Sequence, residues 1–305
     1  MTPAPRPVGR FAPTPSGRMH LGNVFAAMLA WLSVRSRGGT MVLRMEDLDT
    51  QRTGEEYARV LREDLLWLGL DWDLETEPQS RRGAVYEDYF RRLEEQGLLY
   101  GCYCTRSQLH SVNAPHLSDG TYVYPGTCRA LTDAQRAAMN RAPAWRVKVP
   151  DRLWQVNDWV QGTYVENLAT DCGDFVVRRA DGVFVYQLAV TVDDGEAGVT
   201  EVVRGMDLLS SAPRQMYLQE LFGFPHPEYA HVPMLMAPDG RRLSKRDRDL
   251  DLGILRQRVR PEQLLGTLAA SAGLLEKPEA LSAKELATVF SWEKIKKESI
   301  CLTEL

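Results

Sequence analysis

Three short segments hold most of the residues that could do chemistry. The first is Arg10-Phe11-Ala12-Pro13-Thr14-Pro15-Ser16-Gly17-Arg18-Met19-His20-Leu21-Gly22-Asn23, which joins a strand end, a rigid turn and a helix start bearing His20 and Asn23. Exposed backbone N–H groups and the positive end of a helix dipole at such a junction suit a phosphate. Gly22 lets a flat base approach the backbone closely. The second is Arg241-Arg242-Leu243-Ser244-Lys245-Arg246, about two hundred residues later, just after the Pro238-Asp239-Gly240 turn. A loop with several cations is what a departing pyrophosphate needs, and Lys245 can meet the charge that develops on phosphate oxygens in the transition state. The third offers Cys102-Tyr103-Cys104 and then Tyr124-Pro125-Gly126-Thr127-Cys128, three thiolates and a phenol. A zinc ion takes four tetrahedral N, S or O ligands, so three cysteines leave one position open. His110 and His116, in the loop between, are the commoner chemical choice for it. Tyr124 would be unusual, as an oxygen donor with a high intrinsic pKa. The plain alternative is three small buried cysteines and no metal.

The bulk properties limit what these segments can serve. The chain has 305 residues, 44% hydrophobic and 26% charged, ample for a buried core of one large domain or two modest ones. The balance is 37 basic against 41 acidic residues, net −4, so any RNA contact must come from local basic patches on an acidic background. Five cysteines, an odd number with three crowded together, point to metal in a cytosolic protein rather than to a disulfide framework. No apolar run approaches the ~20 residues that span a bilayer. The proline-rich start, Met1 to Gly9, lacks an apolar signal core. A soluble cytoplasmic monomer with no membrane partner is expected.

The elements that must position these residues alternate in the first half. Val8–Ala12 reads as a short strand, and a helix opens near Leu21 and runs toward Arg35, with Val24, Phe25, Met28, Trp31 and Leu32 at helical spacing. Met41–Met45 reads as a second strand. Thr53 with Glu56 three positions on is a capping-box pattern opening the next helix, which carries Tyr57, Val60, Leu61, Leu65 and Leu68. Another helix runs from about Arg81 to Gln96. This βαβ opening argues for an α/β fold with a doubly wound parallel sheet. From about Gly101 to Val177 the pattern breaks: the cysteines, a short helix over Leu131–Arg141, and strand-like Trp145–Val149 and Trp154–Val160 read as an insertion between two halves of the sheet. Strand and helix signals resume with Phe184–Val192, Val199–Val203 and the helix Pro213–Phe222. From Asp251 the chain reads as helical, with helices opening at Pro261 and covering Ser282–Phe290.

Together the first two segments resemble HIGH and KMSKS, the signature sequences of class I aminoacyl-tRNA synthetases. His20-Leu21-Gly22-Asn23 matches the first with Asn in the last place, and Arg242-Leu243-Ser244-Lys245-Arg246 matches the second with Arg at both ends. The resemblance implies catalytic roles for His20 and Lys245, and ATP contacts from His20, Gly22, Asn23, Leu243, Ser244 and Lys245. Four blocks then narrow the branch: Arg10 to Gly17, Leu43 to Arg52, Tyr186-Gln187-Leu188-Ala189-Val190-Thr191-Val192-Asp193-Asp194, and Val203-Arg204-Gly205-Met206-Asp207-Leu208. They are similar, in family order, to the glutamyl branch. This implies a glutamate pocket lined by Arg10, Phe11, Ala12, Pro13, Thr14, Ser16, Glu46, Tyr186 and Arg204. The residue types suit that substrate. Arg10 and Arg204 can each form a bidentate pair with a carboxylate, Glu46 can hold the ammonium, and Tyr186 can close the pocket with its ring and donate its hydroxyl.

Cys-x-Cys followed by Tyr-x-x-x-Cys resembles the zinc site of the short glutamyl-queuosine tRNA(Asp) synthetase family, in which tyrosine is the fourth ligand. That resemblance implies one structural Zn²⁺ on Cys102, Cys104, Tyr124 and Cys128, with His110 as the second choice. It also implies ATP, used with Mg²⁺, L-glutamate, and tRNA(Asp) carrying queuosine as acceptor. The expected layout is a Rossmann-type class I catalytic domain. Its first half spans 1–100, a zinc-binding insertion 101–178, the second half with the basic loop 179–250, and a small helical subdomain 251–305 with no anticodon-binding domain. Arg256, Arg258, Arg260, Lys294, Lys296 and Lys297 there could touch phosphates or form a solvated helix face. Two other readings stay open at this point: a truncated enzyme charging the 3′ end of tRNA(Glu), and a non-catalytic RNA-binding paralogue.

Overall fold

The structure, a computed structural model, describes residues 6–109, 123–237, 241 and 251–302. Its frame is a parallel sheet in two halves. The first joins β1 (Val8–Phe11), β2 (Thr40–Leu43) and β3 (Leu74–Glu75), with β2 between the other two. Helix α1 (Leu21–Arg35) crosses from β1 to β2, and α2 (Glu55–Trp67) from β2 to β3. Each crossover is the βαβ unit that the alternation of elements requires.

A long excursion follows. Helix α3 (Gly83–Glu95) leads to β4 (Leu99–Cys102), the four-residue helix α4 (Arg106–Leu109), α5 (Asp133–Ala137) and β5 (Ala144–Val147). Strands β6 (Leu153–Asp158) and β7 (Gly162–Asn167) form a hairpin, and β8 (Phe175–Arg178) pairs antiparallel with β5 to give a small sheet in the order β4-β5-β8. The hairpin has a different partner. Strand β6 runs parallel beside β10 (Glu228–Val232), which pairs in parallel with β9 (Glu201–Gly205). The segment read as an insertion thus supplies the outer strands of the second half-sheet. Helix α6 (Tyr186–Glu196) packs on α7 (Ser211–Phe222) behind it.

The halves meet at β1 and β9. Thr200 N donates to Val8 O at 2.9 Å, Val8 N to Thr200 Oγ1 at 2.9 Å, and Arg10 Nη1 to Val203 O at 3.1 Å. The strand sequence across the molecule is therefore 3-2-1-9-10-6-7, and the winding reverses between β1 and β9. A crevice at the carboxyl ends of the strands beside such a reversal is the usual ligand site of a doubly wound sheet.

Helix α1 is buried on nearly every side, which matches its run of Val, Phe, Met, Leu and Trp. Its core continues into the C-terminal helices α8 (Leu252–Arg258), α9 (Pro261–Ala272) and α10 (Ala283–Val289) through Leu252, Leu264, Leu268 and Leu286. These helices share the core of the first half-sheet. Two differences from the sequence reading have clear causes. Helix α2 starts on Gly54 with no side-chain cap, because the Thr53 hydroxyl donates to the Asp49 carbonyl instead. The C-terminal stretch is also not wholly helical: Ile300–Cys301 forms β12, which returns to pair in parallel with β11 (Leu235–Met236). Among the described residues no helix is long and apolar enough to cross a membrane.

Candidate active site

At the switch point the carboxyl ends of β1, β9 and β10 open into a cavity of about 590 Å³. Arg10, Phe11, Ala12, Pro13, Thr14, Ser16, His20, Gly22, Asn23, Glu46, Tyr186 and Arg204 all line it. Residues 194 positions apart in the chain (Arg10 on β1 and Arg204 on β9) thus line one cavity because β1 and β9 are neighbours. Leu243, Ser244 and Lys245 lie outside the described residues, and with them the rest of the KMSKS-like segment.

One end of the cavity is the start of α1. His20 is its N-cap, extended at φ −91°, ψ 165°, and its carbonyl accepts from the N–H groups of Asn23 (2.9 Å) and Val24 (3.1 Å). No acidic residue stands in the first turn. With no acid in that turn, the positive end of the helix faces the cavity, which suits a phosphate chain. A Cβ on Gly22 would sit 3.1 Å from the His20 imidazole, so glycine lets the ring lie against the backbone there.

The other end is a buried network of charge. Arg44, which has no solvent exposure, donates to Asp194 Oδ1 at 2.6 Å and to Glu46 Oε1 at 3.0 Å, and lies 3.6 Å from Asp193 Oδ2. Arg10 Nε stands 3.6 Å from Asp194 Oδ2. Asp193 also receives bonds from Arg82, Gln79 and Tyr86. Burial pushes the Glu46 carboxyl up, against the pull of Arg44 and Arg10. Burial acts the same way on Asp194, but Arg44 and Arg10 more than offset it and hold that carboxyl below its ordinary range. At the cavity wall Asp194 thus faces Arg10, and Arg44 holds Glu46.

Arg204 is held differently. Its Nε donates to His231 Nε2 at 2.9 Å, and its Nη1 to Gln215 Oε1 at 2.8 Å and to the Tyr186 hydroxyl at 3.4 Å. Its Nη2 is buried with no hydrogen-bond partner among the described residues. His231 rests in turn on Asp158: Nδ1 and Oδ2 are 2.6 Å apart, and the His231 backbone N–H also donates to the same carboxylate. A buried donor left over beside a cavity is a place for an acceptor that the protein does not itself supply.

The sequence reading assigned no role to Arg44, Asp193, Asp194, Asp158, His231 or Gln215. For two of them a signal existed. Asp193 and Asp194 follow Tyr186 by seven and eight positions on α6, two helical turns, so they return to the face that carries Tyr186. His231 and Asp158 are 73 residues apart on neighbouring strands, and no local pattern links them.

The cysteine cluster lies off the end of β4. Sγ atoms of Cys102, Cys104 and Cys128 all lie within 4.8 Å of one another, and Tyr124 Oη is 3.4 Å from Cys102 Sγ. Three thiols and a phenol at this spacing fit the tetrahedral N/S/O donor set of zinc. Burial and the neighbouring thiols push Cys104 up to about 12, a condition that a bound cation would reverse. Tyr124 is held on both sides. The Arg146 guanidinium lies 3.6 Å from its ring centre, and a Cβ on Gly173 (φ +71°) would fall 2.2 Å from its carbonyl oxygen. Cys172 and Cys301 stand apart from the cluster. His110 and His116, the alternative fourth ligands, lie outside the described residues.

Comparison with known proteins places this geometry in context. Residues 8–303 match the family of class I tRNA synthetases (E and Q), catalytic domain. A glutamyl-Q tRNA(Asp) synthetase of Symbiobacterium thermophilum is 44% identical over 306 residues, covering 96% of this chain and 94% of its own. One of Nitratidesulfovibrio vulgaris is 45% identical over 280 residues, covering 88% and 86%. Among solved structures, the glutamate-tRNA synthetase of Elizabethkingia anophelis superposes with a TM-score of 0.84 at 27% identity, over 98% of this chain and 68% of that one.

Proposed function

The chain belongs to the class I tRNA synthetase family of the E and Q branch, and from that premise we propose that it activates L-glutamate with ATP and transfers the glutamyl group to queuosine of tRNA(Asp). The observation that carries this reading is a single cavity with, at one end, a helix whose first turn holds no acid and, at the other, a buried guanidinium with a donor unpaired among the described residues. The relatives support the acceptor. Glutamyl-Q tRNA(Asp) synthetases match at 44–45% identity and nearly their full length, against 27% identity and 68% of the length for the glutamate-tRNA synthetase.

In the first step an α-carboxylate oxygen of glutamate attacks the α-phosphorus of ATP. The new carboxyl–phosphorus bond forms as the α–β bridging bond breaks, and pyrophosphate leaves. No protein nucleophile takes part, so the work is positioning and charge stabilisation. Arg10 and Arg204 bind the two carboxylates and Glu46 the ammonium, while Tyr186 closes the pocket. The N-terminus of α1 with His20, Gly22 and Asn23 takes the nucleotide and its phosphates, and Lys245 meets the charge growing on pyrophosphate. In the second step a queuosine hydroxyl attacks the carbonyl carbon of the mixed anhydride and AMP leaves. Magnesium travels with ATP. Zinc, held by Cys102, Cys104, Tyr124 and Cys128, would pin the segment around β4 and supply no chemistry.

The acceptor is tested by incubating the protein with ATP, labelled glutamate and either queuosine-bearing tRNA(Asp) or tRNA(Glu). Label on the first, stable to removal of the 3′-terminal adenosine, is expected. Label on tRNA(Glu) alone would assign an ordinary charging enzyme.

A further inference from the structure

Arg204 differs from the other arginines of the site in its company. Arg10 and Arg44 are both held by carboxylates, whereas Arg204 forms no ion pair among the described residues although it is only 5% exposed. Its partners are an imidazole, a carboxamide and a phenol, and the Tyr229 ring lies 5.7 Å from its guanidinium carbon.

The imidazole must be neutral. Arginine Nε is a donor only, so His231 Nε2 accepts from it and the ring proton sits on Nδ1, where Asp158 receives it. Burial pushes His231 down to about 4, in the same sense. The Asp158 charge is spent on that proton and on the backbone N–H groups of Val160, Gln161 and His231, one residue removed from Arg204. His231 and Gln215 do not line the cavity; they lie behind Arg204.

We propose that His231 and Gln215 are positioning and specificity residues: they fix Arg204 by hydrogen bonds without neutralising it, so that the substrate carboxylate must supply its counter-ion and a carboxamide cannot. A buried cation whose hydrogen-bond partners are all neutral favours an anionic ligand over an isosteric neutral one. Had either neighbour been an acid, the pair would be complete before substrate arrived. The inference rests on the reading of this cavity as the glutamate site.

The test is Gln215→Glu, which adds a charge without changing shape, with Gln215→Met as the variant that removes the bond and adds none. ATP–pyrophosphate exchange gives KM for glutamate and for ATP, and inhibition by L-glutamine gives its Ki. With Gln215→Glu, KM for glutamate rises about ten- to a hundred-fold, as expected when a charge-assisted bond is forestalled. KM for ATP and Ki for glutamine stay near wild type, so discrimination between the two amino acids falls. Gln215→Met raises KM for glutamate less. An unchanged KM for glutamate in Gln215→Glu, or an equal rise in glutamine Ki, overturns the inference. If Gln215→Glu does not fold, His231→Gln, whose amide oxygen can still accept from Arg204, is set against His231→Asn, which is too short to do so. A lower KM for glutamate in the Gln variant supports the role, and equal values overturn it. Failure of the wild-type protein to catalyse exchange would instead remove the reading of the site itself.

Discussion

Replacing Arg44 by Met should cost the fold more than any exposed charge could. The guanidinium is fully buried and stands 2.6 Å from Asp194, 3.0 Å from Glu46 and 3.6 Å from Asp193. Methionine fills much of the volume but leaves the buried Asp193 and Asp194 and the partly exposed Glu46 to find other partners. Asp194 keeps Arg10 at 3.6 Å, and Asp193 keeps Arg82, Gln79 and Tyr86. Glu46 has no other ion-pair or hydrogen-bond partner among the described side chains. Removing one member of a buried pair costs about 3–5 kcal/mol; with two of the three acids still held, the lower end, about 3 kcal/mol, is expected. For a chain of 305 residues that is a fall in melting temperature of roughly 5 °C. Urea unfolding at neutral pH measures it. Adding Glu46→Gln removes the stranded charge, so the double variant should regain about 1 kcal/mol or more of the loss. A loss below about 1 kcal/mol for Arg44→Met, or no recovery in the double variant, would refute the argument that Arg44 compensates these acids.

Three further outcomes follow from the site. His231 is lowered from 6.5 to about 4 in the fold, chiefly by burial, so its contribution is present above about 6.5 and lost as pH falls through about 4. The difference in unfolding free energy between wild type and His231→Gln should therefore shrink by roughly 3 kcal/mol between pH 7 and pH 4, and a difference that does not vary with pH would contradict a buried neutral imidazole. Cys128→Ser should lose zinc by metal analysis and melt at lower temperature, while exchange on the folded fraction persists; undiminished metal content would refute the four-ligand site. Lys245→Ala should lower exchange about a hundred-fold or more while calorimetry still detects glutamate binding, and equal loss of both would remove its role at the pyrophosphate.

How much of this was written locally in the sequence varies with distance along the chain. Strand β1, the turn after it and helix α1 were legible because their signals are adjacent: a short run with Val8 and Phe11 about Gly9 and Arg10, Pro/Gly/Ser punctuation, then helical spacing of Val24, Phe25, Met28 and Leu32. The cavity wall was legible through resemblance, since Arg10, Glu46, Tyr186 and Arg204 sit in blocks with a family pattern. What lies behind the wall was not. Gln215 comes from α7 and His231 from β10, and Asp158 reaches them only because β6 runs beside β10 rather than staying within the inserted segment. Nothing in the composition of Leu153–Asp158 says which sheet it joins; its alternation of exposed and buried positions would serve either. The return of Ile300–Cys301 to β11 is a two-residue pairing and leaves no pattern to read. The Thr53–Glu56 motif failed for a local reason, as the threonine hydroxyl found the Asp49 carbonyl one turn earlier.

The most direct test of the central claim is ATP–pyrophosphate exchange with L-glutamate and no RNA present. Label should pass from pyrophosphate into ATP in proportion to glutamate, and neither glutamine nor aspartate should substitute for it. Exchange that appears only when tRNA(Glu) is added would assign the ordinary charging reaction, and no exchange under any condition would leave this cavity without the adenylate chemistry assigned to it.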